Sequence, residues 1–142
     1  ILCKHVDLKF KRRSLGEIAD SETAIYLGDT MGELMLLFAA SDIAFMGGSL
    51  VPMGGYNLLD LVALGLPVIF GEHIFNFKEI SQRLLSEHAA VKVHDMQELT
   101  EQVLNYAQQP EFRQATGARG KAFVEQNRGA LQRLLNLIAA VI

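Results

Sequence analysis

The stretch "GDTMGELMLLFAASDIAFMGGSLVPMGGYNLLD", residues 28–60, places glycine-rich loops directly beside the most apolar part of the chain. It contains two Gly-Gly pairs, a short run typical of a buried strand, and the start of a helix. Glycine contributes no side chain to a core and loses more conformational freedom on folding than any other residue. We therefore expect something to approach this backbone closely.

Around this stretch, strand-like and helix-like segments alternate. Predicted strands span residues 23–28, 42–48, 66–71 and 90–93. Predicted helices span residues 28–41, 57–64, 76–89, 95–109, 110–127 and 130–142. Strands that alternate with helices at this spacing are typical of a parallel sheet with crossover helices. We predict one doubly wound α/β domain over residues 1–142, with a Rossmann-like parallel sheet and flanking helices.

Composition excludes several classes of protein. Of the 142 residues, 50% are hydrophobic and 20% are charged, which is ordinary for a soluble globular domain. The net charge of −3 argues against broad nucleic-acid binding. The single Cys3 cannot form an internal disulfide, and Cys and His residues lack zinc-ligand spacing, which indicates a reducing, cytosolic environment.

The sequence also bears on membrane insertion and on whether the chain is part of a larger protein. No apolar run reaches the roughly 18 residues that a membrane-spanning helix needs. The chain does not begin with Met, and we expect it to be a piece of a longer protein.

Three predicted loops should meet where the parallel strands end, at residues 28–33, 47–57 and 71–77. The segment "MGGSLVPMGGYN" carries four glycines and Ser49 directly before a predicted helix. The amide N–H groups at a helix N-terminus can hold a phosphate if the preceding loop lacks bulky side chains. The same glycines are also consistent with tight turns that require a positive φ. Both interpretations remain open from the sequence.

The carboxylates near these loops also have two interpretations. Glu33 is either a capping-box partner of Asp29 or Thr30, or an acceptor for ligand hydroxyl or amino groups. Asp60 shares a helix face with Asn57 and could accept hydrogen bonds from ribose hydroxyls. Alternatively, Asp60 only complements the helix dipole.

The third loop, "GEHIFNFKE", offers His73 and Lys78. His73 is more often an ordinary loop residue than an acid or base. Lys78 is a candidate cation near a phosphate, and Phe75 and Phe77 are interpreted as core anchors rather than as platforms on which a ligand ring stacks. The basic run "KFKRR", residues 9–13, is interpreted as a solvated surface that could steer an anionic ligand.

Five ordered segments together carry a resemblance to a known family. They are "GDTMGEL", "DIAFMGGSLVPMGGYNLLD", "LPVIFG", "HIFNFKE" and "QNRGALQRLL". The set resembles the C-terminal half of 3-deoxy-D-manno-octulosonic acid (Kdo) transferases of lipopolysaccharide synthesis, in register from about residue 12 to about residue 137.

The resemblance implies a GT-B glycosyltransferase, with two Rossmann-like domains and an active site in the cleft between them. The C-terminal domain of such enzymes binds the CMP part of the donor CMP-Kdo. The N-terminal domain, which this chain lacks, carries the membrane anchor, the site for the lipid A precursor and the catalytic glutamate. We therefore expect no catalytic residue in this chain, no metal ion or other cofactor, and a full-length protein at the cytoplasmic face of the bacterial inner membrane.

The resemblance also assigns nucleotide contacts by matching motifs. The "MGE" segment and the "GGYNLLD" segment supply Met31, Gly32, Glu33, Asn57, Leu58, Leu59 and Asp60. The loop glycines and a nearby cation are hypothesised to stabilise the phosphate of the departing CMP through Gly47, Gly48, Ser49, Gly54, Gly55 and Lys78. The chain departs from the family pattern at Tyr56, where His is usual, and at Asp60, where Glu is usual. Asp60 is shorter by one methylene, so contact with a ribose would need a closer helix or a bridging water.

Two other functions fit the residues. A GT-B domain that binds a UDP-sugar would show the same glycine-rich loops. A non-enzymatic interaction domain would show the same fold with no response to nucleotides.

Overall fold

The computed structural model describes residues 8–55 and 57–128, which divide into two compact units. The first unit ends at Ala40 and the second begins at Ser41. The predicted α/β class with parallel strands and flanking helices is confirmed. The single domain over residues 1–142 stays a prediction, and the helix predicted over residues 130–142 lies outside the described residues.

The first unit contains a parallel pair of strands and a short helix. Strand β1, Phe10–Arg12, pairs with strand β2, Ile25–Leu27, so that Arg12 lies opposite Leu27. Helix α1, Leu34–Ala39, follows β2. Because both strands run in the same direction, the residues that follow β1 and those that follow β2 lie at one edge of the pair.

Strand β1 corrects the interpretation of the basic run. That run is not only a solvated surface, because three of its residues form a strand and its charged side chains are paired with carboxylates. The pairs are Lys9 with Glu22, Lys11 with Asp20, Arg12 with Asp29, and Arg13 with Glu33.

The second unit contains a three-stranded parallel sheet in the order β3-β4-β5. The strands are β3, Ala44–Phe45, β4, Val68–Phe70, and β5, Ala90–Lys92. The helices are α2, Leu58–Ala63, α3, Lys78–Ser86, α4, Met96–Gln108, and α5, Pro110–Asn127, with a 3₁₀ turn at Phe75–Phe77. The sequence predicts four strands in one sheet, whereas the described residues form five strands in two sheets.

The central strand β4 explains why its sequence is apolar without alternation. Val68, Ile69 and Phe70 are all fully buried, since the strand has a neighbour on each side and is covered on both faces. Helix α5 packs closely against the end of α2. A Cβ atom at Gly117 would lie 1.9 Å from the carbonyl oxygen of Gly65, so this helix needs glycine there despite its low helix propensity.

Three predicted helix boundaries in the second unit are confirmed. The Asn57 side chain accepts a hydrogen bond from the N–H of Leu59 at 3.1 Å and caps α2. Asp95 accepts from the N–H of Glu98 at 2.9 Å and caps α4. Gly65 follows α2 with a φ of 80°, as expected for the residue after a helix end.

The predicted start of α1 is wrong. The helix begins at Leu34 with Glu33 in the N-cap position, and the Glu33 side chain makes no capping hydrogen bond. The carboxylate of Asp29 instead accepts hydrogen bonds from the N–H and the hydroxyl of Ser14, at 2.9 and 2.8 Å, and pairs with Arg12. The predicted capping interaction does not form, because the carboxylates of Asp29 and Glu33 bind Ser14 and Arg13, which follow β1.

The loops that follow β3 and β4 are joined by one buried hydroxyl. Ser49 is fully buried, donates its hydroxyl to the carbonyl of Met46 at 2.6 Å, and accepts from the N–H of Gly71 at 2.7 Å. The Ser49 carbonyl accepts in turn from the N–H of His73 at 2.8 Å. A Cβ at Gly71 would lie 2.4 Å from the Ser49 carbonyl oxygen, so the two loops can meet in this way only with glycine at position 71.

This contact predicts that Gly71→Ala is strongly destabilising. The added methyl group would meet backbone atoms that cannot rotate away, and we expect a loss of about 2–4 kcal/mol in the free energy of unfolding. Urea unfolding followed by circular dichroism measures this. Gly47→Ala is the matched control, because a Cβ there meets nothing within 4 Å, and its free energy of unfolding should stay within about 0.5 kcal/mol of the wild type. Equal losses in the two variants would contradict the role of the Ser49–Gly71 contact.

Candidate functional site

Parallel strands place the loops after β3, β4 and β5 at one edge of the second unit's sheet. This edge is where ligands bind in open α/β sheets. It carries most of the residues that the sequence assigns to the nucleotide. Met31, Gly32 and Glu33 belong to the first unit, and the other candidate residues belong to the second.

The glycines after β3 divide into two kinds. Gly48, Gly54 and Gly55 have φ values of 79°, 94° and 63°, so backbone conformation alone accounts for glycine at these three positions. Gly47 has no positive φ, and a methyl group added there would meet no atom within 4 Å. Turn chemistry therefore explains three of the four glycines, while the backbone at Gly47 stays open to an approaching group.

Ser49 uses its side chain inside the protein. Its buried hydroxyl is both donor and acceptor to main-chain groups of the two loops. These bonds favour a role in holding the loops together. The assignment of Ser49 as a nucleotide contact stays a prediction.

Four candidate residues lie at the start of α2, and only one of them, Asp60, has an exposed side chain. Leu58 is fully buried in the core and Leu59 is half-buried. Asn57 uses its side-chain oxygen as the cap of the helix, which leaves its amide N–H groups for other partners. Asp60 is exposed in the first turn, and no residue in the described part of the chain pairs with it.

Lys78 begins α3 and is exposed. It lines an open cavity of ≈ 300 Å³ together with Phe70, Glu72 and Lys92. Lys92 faces Glu72 at 3.4 Å, whereas Lys78 has no acidic partner among the described residues. A free ammonium group at this edge of the sheet fits the predicted contact with an anion.

The loop after β4 is tied down by its backbone. His73 donates its N–H to Ser49, and its ring lies 5.7 Å from the ring of Phe75 in a tilted arrangement. Phe75 is 63% exposed, so its interpretation as a core anchor is wrong. The 3₁₀ turn that contains Phe75 orients its ring away from the core.

In the first unit, the "MGE" segment lies between β2 and α1. Met31 is 98% exposed, and Gly32 has a φ of 82°. This left-handed residue turns the chain so that Glu33 follows at the start of α1. Met31 is thus presented to solvent beside a half-buried carboxylate.

The Glu33 carboxylate is held by a guanidinium fork. Arg13 donates from Nε to Oε2 at 3.0 Å and from Nη2 to Oε1 at 2.6 Å, and the hydroxyl of Thr30 donates to Oε2. These bonds to Arg13, then that to Thr30, lower the pKa of Glu33 from 4.5 to about 2. Glu33 is therefore ionised throughout the physiological range and acts as an acceptor only.

Arg13 is the residue that sequence analysis missed. It comes directly after β1, and the parallel pairing of β1 with β2 carries it to the residues that follow β2. Its neighbour Arg12 pairs with Asp29. The hydrogen bond from Arg12, and to a smaller extent those from Ser14, lower the pKa of the Asp29 carboxyl to about 2. At least 16 residues separate each of these arginines from its carboxylate in the sequence. The two ion pairs could have been predicted only if the basic run had been recognised as a strand.

Metal-binding clusters and membrane-spanning helices are both absent from the part of the chain that the structure describes. In residues 8–55 and 57–128, no cluster of three or more His, Cys, Asp or Glu side chains is placed to hold a metal ion. Within the same ranges, no helix has the length and apolar character to cross a membrane.

The Arg13–Glu33 pair predicts a specific titration. The Glu33 carboxyl should titrate near pH 2 in the wild-type chain and move toward 4.5 in Arg13→Ala, as followed by carboxyl ¹³C NMR. Because the folded-state pKa is the lower one, the pair stabilises the fold fully above about pH 4.5 and ceases to do so as the pH falls toward 2. Arg12→Ala is the matched control, and it should raise the pKa of Asp29 while that of Glu33 stays unchanged. A Glu33 titration that is the same in all three proteins would contradict the pairing.

Comparison with known proteins gives consistent relatives. No family model matches the chain. It is 43% identical over 138 residues to the 3-deoxy-D-manno-octulosonic acid transferase of Haemophilus influenzae, which covers 96% of this chain and 32% of that protein. The enzyme of the same name from Bordetella pertussis is 35% identical over 132 residues, covering 92% of this chain and 31% of that protein. The chain thus spans about a third of the length of these relatives.

A solved structure agrees with these relatives. The crystal structure of the C-terminal CMP-Kdo binding domain of WaaA from Acinetobacter baumannii matches with a TM-score of 0.82 and 34% identity. The match covers 87% of this chain and 64% of that chain. The resemblance noted in the sequence is confirmed, and the chain belongs, by sequence and by fold, to the family of 3-deoxy-D-manno-octulosonic acid transferases.

Proposed function

We propose that this chain is the donor-binding domain of a glycosyltransferase that transfers Kdo from CMP-Kdo to a lipid A precursor in lipopolysaccharide biosynthesis. The observation that carries the proposal is the fold match to a CMP-Kdo binding domain at 34% identity. The sequence relatives, which are named as transferases of the same sugar acid, support it. The rest of such a protein would supply the second half of a GT-B fold, the catalytic base, the acceptor site and the attachment to the cytoplasmic face of the inner membrane.

The proposed nucleotide contacts are the candidate residues whose backbone or side chain is accessible to a ligand. In the second unit, the open backbone at Gly47, the exposed Asp60 and the exposed Lys78 can reach a ligand without breaking contacts of the fold. In the first unit, Met31 is exposed and Glu33 is an ionised acceptor. Gly48, Ser49, Gly54, Gly55, Leu58 and Leu59 contribute mainly by shaping the loops and the start of α2.

The chemistry requires stabilisation of a leaving group. The bond between the anomeric carbon of Kdo and the phosphate oxygen breaks, an acceptor hydroxyl forms the new bond, and its proton goes to a base in the rest of the protein. CMP departs as a phosphate monoester, and fixed N–H donors with an ammonium group stabilise the developing charge without reorganising. Lys78 and the Gly47 backbone are proposed for that role, with no metal ion. The isolated chain should therefore bind nucleotide and catalyse no transfer.

Two alternatives predict different ligands. A domain for a UDP-sugar would bind UMP and UDP better than CMP. An interaction domain without enzymatic function would bind none of them. The same titrations separate the three possibilities.

Calorimetric or ligand-observed NMR titration of the 142-residue chain tests the proposal. We expect CMP to bind more tightly than UMP or UDP, and Gly47→Ala to weaken CMP binding with an unchanged melting temperature, because its methyl group would occupy open space beside the loop. Preference for UDP would support the first alternative. Absence of any binding to wild-type protein would contradict the proposed function.

Asp60 gives a second test with the ribose. If its carboxylate accepts hydroxyl hydrogen bonds, Asp60→Ala should weaken CMP binding roughly tenfold or more, since hydrogen bonds to charged groups are worth about 1.5–3 kcal/mol. The loss should be much smaller for 2′-deoxy-CMP, which has already lost one hydroxyl. Both ligands on both proteins form a double-mutant cycle. A coupling energy of zero, with a modest loss of stability, would assign Asp60 to the helix dipole instead.

A further inference from the structure

The bonds at Glu33 leave little room for a ligand. A carboxylate has about four acceptor positions, two on each oxygen. Oε2 already accepts from Nε of Arg13 and from the hydroxyl of Thr30, while Oε1 accepts from Nη2 of Arg13. Among the described residues no other donor reaches it, so one acceptor position remains, on Oε1.

That single position distinguishes between ligand groups. The two hydroxyls of a ribose would need two acceptor positions, which Glu33 does not have. A single amino N–H needs one. The side chain is 30% exposed, so a ligand group can reach it, and Arg13 prevents the carboxylate from rotating to offer its other oxygen.

Cytosine and uracil differ at the group that such an acceptor would meet. Cytosine carries an exocyclic amino group, a donor, where uracil carries a carbonyl oxygen, an acceptor. An ionised carboxylate accepts the amino N–H and repels the carbonyl oxygen. Glu33 is ionised at neutral pH, and its hydrogen bonds to Arg13 lower its pKa further, so it cannot donate to uracil.

We propose that Glu33, held by Arg13, selects cytosine over uracil by accepting a hydrogen bond from the exocyclic amino group through Oε1. This inference rests on the proposed function, since it assumes that the chain binds a cytidine nucleotide. Glu33 is the specificity-determining residue and touches the base. Arg13 is a positioning residue that acts through Glu33.

The test compares the ratio of CMP to UMP affinity in the wild-type chain and in variants, by calorimetric titration. Wild type should favour CMP roughly tenfold or more, as expected for a hydrogen bond to a charged group. Glu33→Gln keeps the size of the side chain but can turn its amide to donate to uracil, so the ratio should fall toward one. Arg13→Ala should lower the ratio several-fold, and this effect should disappear when Glu33→Gln is already present.

Two controls separate positioning from other roles. Arg12→Ala removes the neighbouring arginine, which pairs with Asp29, and should leave the ratio unchanged. Arg13→Lys keeps the positive charge without the two-pronged contact, so its ratio should resemble that of Arg13→Ala if orientation matters. Melting temperatures confirm that each variant is folded.

The outcomes are distinct. A wild-type chain that binds neither nucleotide contradicts the proposed function itself. Equal binding of CMP and UMP, or a ratio that Glu33→Gln leaves unchanged, overturns the cytosine assignment while nucleotide binding stands. Arg13→Ala could instead weaken the binding of CMP and UMP equally, and do so in the Glu33→Gln background as well. That result would show that Arg13 contacts the ligand directly, for example its phosphate, and would overturn the positioning role.

Discussion

The edge of the second unit's sheet depends on one buried hydroxyl. Ser49 links the loop after β3 to the loop after β4 by bonding to the carbonyl of Met46 and to the N–H of Gly71. Both partners are buried main-chain groups, which cost free energy if they are left without hydrogen bonds. The contact forms because Gly71 has no side chain to keep the two backbones apart. The positions of Gly47 and His73 relative to each other follow from it.

A second constraint governs the first unit. Parallel pairing of β1 with β2 brings the end of the basic run to the segment that follows β2, and two ion pairs form there, Arg12 with Asp29 and Arg13 with Glu33. The Arg13 pair is the more directional, because a guanidinium fork meets a carboxylate with two hydrogen bonds. Exposed ion pairs add little to stability. Their main consequence is orientation, since a carboxylate held on both oxygens offers a ligand one defined direction of approach.

Much of the second unit could be predicted because its signals are local. Asn57 and Asp95 cap the helices that follow them, and both bonds join residues two or three positions apart. The apolar run of β4 indicates a buried strand by itself. Strand β1 was not predictable in this way, because its polar residues become a strand only through pairing with residues 25–27. The start of α1 was predicted wrongly for the same reason, because Arg13, which binds the Glu33 carboxylate, lies 20 residues away in the sequence.

The amino-acid sequence by itself determined the fold class, most of the elements and, through five ordered motifs, the family of this chain. Those properties depend on periodicity, on caps and on residue identity, all of which are local. Only the tertiary structure decided why Gly48 and Gly71 must be glycine and which partners the carboxylates of Asp29 and Glu33 have. Gly48 needs a positive φ, Gly71 needs a close approach, and Gly47 needs neither, although all three look alike in sequence. The reason is physical: a steric contact or an ion pair between distant residues exists only once the chain has folded and brought them together.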